Sequence, residues 1–335
     1  MRNLLYKGFY EQFALDYLIY NVRRVNWEGC GVGGKEKLFK QSLISITMII
    51  ACSHGKHLAK KISKKLKQPY LELESQKFPD SEIYLRFQKD IKNKTIILIQ
   101  SFYKEISDCL IEVLFAAQTA KDLGAKKIIL IAPYFPYLRQ DKRFRKGEII
   151  PLEIIAKYIN NCINEIYIID PHLHRKNTLK EIFKTKSHKL TANSLIAQYI
   201  KEKIKNPLII GPDFESHRWA KETAKLVNCL FFILNKKRLS SRKVKIATNK
   251  NLKKVKNKNV VIVDDIISTG HTILETIKLL KKQNPKSITC VCVHGIFAEN
   301  ALEKIKKTGA RIISCNTIPN KVGKIDVSGL IAENL

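Results

Sequence analysis

No stretch of this 335-residue chain approaches the roughly 18 consecutive apolar residues that cross a bilayer; the longest candidate, 128–133, has the length of a buried strand. Paired cysteines are also missing. Eight Cys are scattered without a C-x-x-C spacing, which argues against both a zinc site and a disulfide framework. Cys290 and Cys292 alternate along an apparent strand and point to one face, as reduced, buried thiols would. The first 47 residues contain no basic start followed at once by an apolar run, so no signal peptide is expected, and Glu11, Asp16 and Glu28 disfavour a transit peptide. No short-period repeat is visible. Together these absences predict a soluble, cytoplasmic protein without a membrane partner.

Acidic residues are few beside the basic ones: 30 Asp and Glu against 61 Lys and Arg give a formal charge of +31. Such a charge suggests a nucleic-acid partner, but the lysines are spread over nearly every helix-like segment rather than gathered into a stripe. The reading is therefore no nucleic acid, with the charge forming a solvated surface that also attracts small phosphorylated substrates. The 45% hydrophobic and 27% charged content is that of a globular protein, long enough for two domains.

The segment 1–47 differs from the rest. It carries Trp27 and the glycines Gly29, Gly31, Gly33 and Gly34 without clean periodicity. The expectation is either that Met48 is the natural start or that residues 1–47 are an N-terminal extension outside the catalytic fold. From Met48 onward, apolar strand candidates (48–52, 95–100, 127–132, 165–170, 208–211, 229–234, 260–263, 287–293) alternate with amphipathic helical stretches (57–66, 106–123, 151–160, 192–204, 217–227, 272–282, 298–308). Gly124 supplies a helix stop and Pro151 a helix start. This alternation predicts an α/β fold of mostly parallel sheets flanked by helices. The strands are too many for one small sheet. Two tandem units are expected, 48–190 and 191–319, with 320–335 folding back onto the first.

Ligands of open α/β sheets bind beyond the carboxyl ends of the strands, and four such places stand out. In 260–272, an apolar strand ends in Asp264 and Asp265, followed by Ser268, Thr269, Gly270, His271 and Thr272 at a helix start. Free amides and hydroxyls there form a phosphate cradle. Gly270 lets the backbone approach closely, and the two carboxylates face sugar hydroxyls. An ordinary helix cap would need neither the second acid nor the hydroxyl-rich turn. Phe78-Pro79-Asp80-Ser81-Glu82 is a loop with an aromatic and two carboxylates, weak by itself. In 133–143, Arg139, Gln140, Lys142 and Arg143 gather cations and an amide suited to a polyphosphate. Finally, His172, Asp213 and Lys236 follow three different strands, and a neutral His with a carboxylate can share an octahedral Mg²⁺. His174 and Arg175 are an alternative functional pair.

The segment 260–272 resembles the phosphoribosyl-diphosphate signature of the phosphoribosyltransferase fold, although many members carry an acid at the place of Ser268 and a glycine at that of His271. Taken with the other three segments, in this order, the chain from about Met48 to its end resembles the ribose-phosphate diphosphokinases. The forms Asp170-Pro-His-Leu-His, Gly211-Pro-Asp and Lys236-Lys-Arg-Leu-Ser are most similar to the archaeal-type branch. The resemblance implies two tandem type I phosphoribosyltransferase domains. It implies transfer of diphosphate from ATP to ribose 5-phosphate, with Mg²⁺ as cofactor. Phe78, Asp80, Ser81, Glu82, Arg139 and Gln140 would bind ATP. Arg238, Asp264, Asp265 and Ser268 to Thr272 would bind ribose 5-phosphate. His172 and Asp213 would organise Mg²⁺, and Lys236 and Arg238 would be catalytic. It further implies a homo-oligomer whose adenine site is shared between subunits. A base phosphoribosyltransferase would need only one such domain, leaving 80–82 and 139–143 without purpose. A regulatory homologue has no need of Lys236, Arg238, His172 and Asp264 together.

Overall fold

The computed structural model describes residues 47–335 apart from Phe144, His174, Arg175, Asn177, Asn235, 239–243 and 247–249; across 235–251 it describes short backbone elements without side chains. The expected N-terminal extension thus lies outside the described residues (save Thr47), as do the alternative pair His174 and Arg175 and the side chains of Lys236 and Arg238.

The first half runs β1 (Thr47–Ala51), α1 (Lys56–Leu66), β2 (Tyr70–Glu72), β3 (Glu74–Lys77), β4 (Ile83–Arg86), β5 (Thr95–Ile99), α2 (Ile106–Asp122), β6 (Lys127–Ala132), α3 (Pro151–Cys162), β7 (Glu165–Ile169) and β8 (Lys186–Leu190). Six of these strands form one sheet in the order β2-β1-β5-β6-β7-β8, every pairing parallel. The second half runs α4 (Asn193–Lys203), β9 (Pro207–Gly211), α5 (His217–Val227), β10 (Phe231–Ile233), β11 (Lys236–Arg238), β12 (Val244–Ile246), β13 (Asn259–Ile267), α6 (His271–Lys281), β14 (Ser287–Gly295), α7 (Ala301–Lys307), β15 (Arg311–Cys315), β16 (Gly323–Ile325) and α8 (Ser328–Ala332). Its sheet has the order β10-β9-β13-β14-β15-β16, again all parallel.

Parallel strands covered on both faces must be apolar on both faces, and strands such as Thr-Ile-Ile-Leu-Ile in β5 meet that demand. One face of the first sheet packs with α2 and α3; one face of the second packs with α6 and α7. The remaining faces share a single cluster. It draws Ile49, Ile97, Ile131 and Ile169 from the first sheet, Ile209, Val261 and Val291 from the second, and Ile62, Ile196, Ala220 and Ile331 from four helices. Trimming any of these isoleucines to Ala would cost about 2–5 kcal/mol, so the core ties the sheets into one body. The C-terminal α8 packs on α1, and Lys61 Nζ meets Asp326 at 3.0 Å nearby.

Gly124 ends α2 with φ 78°, and Ala125 N–H returns to Ala120 O at 2.9 Å, a left-handed termination that suits glycine. Three readings of the sequence are revised. The strand expected over 260–263 runs on to Ile267, so both aspartates lie within it. The helix expected from 298 begins at Ala301, because Phe297, Glu299 and Asn300 have φ of 52°, 52° and 60°. The strand expected to end at 170 ends at Ile169, because Asp170 turns to φ 38°. Two antiparallel hairpins, β3–β4 and β11–β12, are additions that parallel-sheet reasoning does not reach.

Candidate active site

The carboxyl ends of β6, β7, β9 and β13 contribute to one pocket. Arg139, His172, Asp213, Glu215, Asp264, Asp265 and the run Ser268 to Ile273 line a cavity of about 90 Å³. The phosphate cradle follows from local chain geometry. Gly270 holds φ 76° before α6, and an added Cβ would stand 3.1 Å from Ala301 Cβ and 3.3 Å from Ile305 Cδ1. The position therefore needs glycine for backbone conformation and for packing on α7. Helix geometry points the first N–H groups of α6 out of its N-terminal end, toward this cavity. His271 adds an imidazole whose Nδ1 is 2.9 Å from Thr269 Oγ1.

The two adjacent aspartates face different surroundings. Asp264 is partly exposed and accepts Asp265 N–H at 3.1 Å. Burial, then the charges of Asp265 and Asp213, push its carboxyl well above the ordinary range. Asp265 is only 4% exposed. Its Oδ2 is in direct hydrogen-bond contact with His172 Nδ1, and its Oδ1 accepts Ile266 N–H at 2.8 Å. Burial alone would raise its pKa, but the His172 contact takes it below the usual value.

Asp213 stands at the start of α5, where its Oδ1 accepts Ser216 N–H at 3.1 Å and its carbonyl accepts the Ser216 hydroxyl at 2.7 Å. His172 leaves β7 through the turn at Asp170. That left-handed conformation is costly for a non-glycine residue and is held from several sides. Asp170 N–H donates to Leu190 O at 2.9 Å, and its Oδ2 accepts Ala192 N–H at 2.8 Å. Trp219 Nε1–H reaches Oδ1 at 3.4 Å. Arg139 borders both this pocket and an adjoining one of about 190 Å³ that contains Gln140, Tyr134 and His294. Phe135 anchors its loop, with ring centroids 5.4 Å from both Phe102 and Phe183.

The pocket therefore brings together Arg139, His172, Asp213, Asp264, Asp265 and Ser268 to Thr272, with Gln140 next door. Phe78, Asp80, Ser81 and Glu82 line neither pocket. They form the tip of the β3–β4 hairpin, exposed, with Ser81 at φ 75° and Phe78 at 51% exposure. Of the residues that hold the site, sequence reasoning named Asp170 only as part of the run before His172 and missed His294 and Trp219. His294 was findable as the polar residue near the end of an apolar strand, had that strand been carried to Gly295. No cluster of three or more His, Cys, Asp or Glu suited to a metal occurs among the described residues.

A parallel strand that carries two acids and runs into a Ser-Thr-Gly-x-Thr helix start defines a phosphoribosyltransferase-type protein, and here that strand belongs to the second of two all-parallel sheets. Two family profiles match accordingly: the N-terminal domain of ribose phosphate pyrophosphokinase over residues 47–162, and the phosphoribosyl transferase domain over 178–329. The chain is 35% identical to the ribose-phosphate pyrophosphokinase of Methanothermobacter thermautotrophicus, covering 85% of this chain and 99% of that one. It is 34% identical to the enzyme of the same name from Pyrococcus furiosus, covering 84% and 97%. A crystal structure of phosphoribosylpyrophosphate synthetase from Mycobacterium smegmatis shares the fold, with a TM-score of 0.75, 24% identity, and coverage of 86% and 97%. This chain belongs to the ribose-phosphate pyrophosphokinase family. No helix among the described residues is long and apolar enough to cross a membrane.

Proposed function

We propose that the protein transfers the β,γ-diphosphate of ATP to the anomeric hydroxyl of ribose 5-phosphate, giving 5-phosphoribosyl 1-diphosphate and AMP. The observation that carries this reading is the meeting of Arg139, His172, Asp213, Asp264 and the 268–272 turn around one pocket. Ser268 to Thr272 would hold the 5-phosphate, and Asp264 the ribose hydroxyls. The hydroxyl attacks the β-phosphorus in line while the bond to the α-phosphate oxygen breaks. Such chemistry depends on positioning and charge neutralisation more than on covalent help. Lys236 and Arg238 would neutralise charge on the transferring group.

The donor set fits Mg²⁺, which favours one or two carboxylates with substrate phosphates and waters over a full protein cage. The charge of Asp213 adds to the electrostatic cost of ionising Asp264, a cost that a cation would relieve. His172 and Asp213 would hold the ion, which when bound neutralises phosphate oxygens. The exposed hairpin tip with Phe78 supports an ATP site completed by a second copy of the chain, and so a homo-oligomer.

The test follows purified protein with Mg²⁺, ATP and ribose 5-phosphate by phosphorus NMR. AMP formed in equal amount with a sugar-linked diphosphate is the expected result. Binding of ribose 5-phosphate without any AMP would overturn the reading in favour of a regulatory homologue.

A further inference from the structure

The two adjacent aspartates of β13 invite one shared role on the sugar, yet their surroundings divide them. Asp265 is 4% exposed and lies against a His172 that is itself 8% exposed. Both of its carboxylate oxygens are engaged: Oδ2 with His172 Nδ1 and Oδ1 with Ile266 N–H at 2.8 Å. The contact joins residues 93 positions apart in sequence, from strand ends of the two different sheets. Asp264, by contrast, is partly exposed, and its Oδ1 accepts the neighbouring Asp265 N–H at 3.1 Å.

We infer that Asp265 is a positioning residue of the metal site rather than a sugar ligand: it holds the proton of His172 on Nδ1 and so presents the Nε2 lone pair to a divalent cation. The inference rests on the reading of His172 as a metal ligand. A ligating histidine takes its tautomer and ring orientation from the group that its other nitrogen meets. A carboxylate is the side chain that satisfies both neighbours here, because the Ile266 amide and the imidazole Nδ1–H are both donors. An amide in its place must present NH₂ to one of them. With its oxygen on Ile266 N–H, its NH₂ faces Nδ1 and drives the proton to Nε2, the wrong nitrogen for ligation.

The test uses the full chain with ¹⁵N-labelled histidine, assigning His172 by loss of its signals in His172→Gln. Wild-type protein is expected to carry the His172 proton on Nδ1. A wild-type His172 protonated on Nε2 would overturn the inference without any variant having to fold. Asp265→Asn is expected to move the proton toward Nε2 and weaken binding of Mn²⁺, measured by electron paramagnetic resonance, by about 10- to 100-fold. Its KM for ribose 5-phosphate at saturating Mg²⁺ should change by less than about threefold, a difference too small to count as a lost buried hydrogen bond. Asp265→Glu, which keeps two acceptors, should restore part of the Mn²⁺ affinity. A raised KM with unchanged tautomer and Mn²⁺ affinity would return Asp265 to the sugar. Unchanged Mn²⁺ affinity in His172→Gln would overturn the metal reading itself, and the inference with it, a result separable from failure at Asp265 alone.

Discussion

His294 Nε2–H of β14 donates to Ile169 O of β7 at 3.0 Å, a buried hydrogen bond that ties the second sheet to the first directly beneath the turn leading to His172. The other ring nitrogen is 2.9 Å from Thr317 Oγ1, and Tyr134 lies against the ring at 5.1 Å between centroids. Burial lowers the His294 pKa to about 4 from its ordinary 6.5. The imidazole is therefore neutral in the folded protein at neutral pH.

A depressed folded pKa contributes stability that is fully present above the unfolded value and is lost as pH falls through the folded one. For His294 that window runs from 6.5 down to about 4, with a slope of up to about 1.4 kcal/mol per pH unit. His294→Leu leaves Ile169 O without its donor, a cost of about 1–3 kcal/mol. Urea unfolding at pH 7.5 should show that loss. At pH 5 the gap between variant and wild type should narrow, since the wild type has by then lost part of the advantage. An equal gap at both values would rule out a neutral His294.

Asp264 should behave in the opposite sense. Its folded pKa is raised by burial and by Asp265 and Asp213, so its contribution is present at low pH and is lost as pH rises through the folded value. Asp264→Asn removes that repulsion, and the variant is expected to melt at a higher temperature than wild type at pH 7 in the absence of metal and substrate. Activity should move the other way. Loss of a charged acceptor for a sugar hydroxyl, about 1.5–3 kcal/mol, predicts a fall in kcat/KM for ribose 5-phosphate of roughly 10- to 100-fold. A calorimetric scan beside steady-state kinetics checks both, and a variant less stable than wild type would contradict the electrostatic account.

Much of this arrangement was legible in the residues. Apolar runs such as Ile96 to Ile99 and Val260 to Val263 can form only doubly covered strands, so the two-sheet α/β class followed from the alternation. The cradle at 268–272 and the acids before it are contiguous, and contiguous motifs survive translation from text to space. The His172–Asp265 pairing did not emerge, because it joins two sheets across a contact that leaves no periodic trace. The hairpin at Phe78 to Glu82 read only as a loop, since Glu74 to Lys77 and Ile83 to Arg86 lack alternation in sequence, the first being largely exposed and the second half-buried along most of its length.

That exposed hairpin yields a complementation test. If Phe78 of one subunit completes the ATP site of another, Phe78→Ala and Lys236→Ala inactivate different halves of one composite site. Lys236→Ala alone is expected to lower kcat by about 10²- to 10³-fold, as removal of a transition-state cation does. Dissociated and reassociated together, the two variants should regain roughly a quarter of wild-type activity if they pair at random in a dimer with two shared sites. Activity no greater than the average of the two variants would place the whole ATP site within one chain.

Glu165 offers a prediction remote from the chemistry. At the start of β7 it is 6% exposed and meets Lys127 Nζ at 2.7 Å, Lys186 Nζ at 3.2 Å and His188 Nε2 at 3.3 Å. Burial alone would raise its pKa, but the hydrogen bonds and charges of Lys127 and Lys186 bring it down to about 2. Its stabilisation is therefore complete above the ordinary carboxylate value of 4.5 and is lost as pH falls toward about 2. Lys127 and Lys186 are 39% and 65% exposed, so solvent screens both and either can swing into water when the carboxylate is removed. Glu165→Gln should then cost about 1–2 kcal/mol at pH 7, less than breaking a fully buried pair. The same substitution should flatten the acid limb of the stability curve between about pH 4.5 and 2, and leave kcat and both KM values unchanged. A loss of activity without a loss of stability would mean that this end of the sheet communicates with the pocket, which the packing gives no reason to expect.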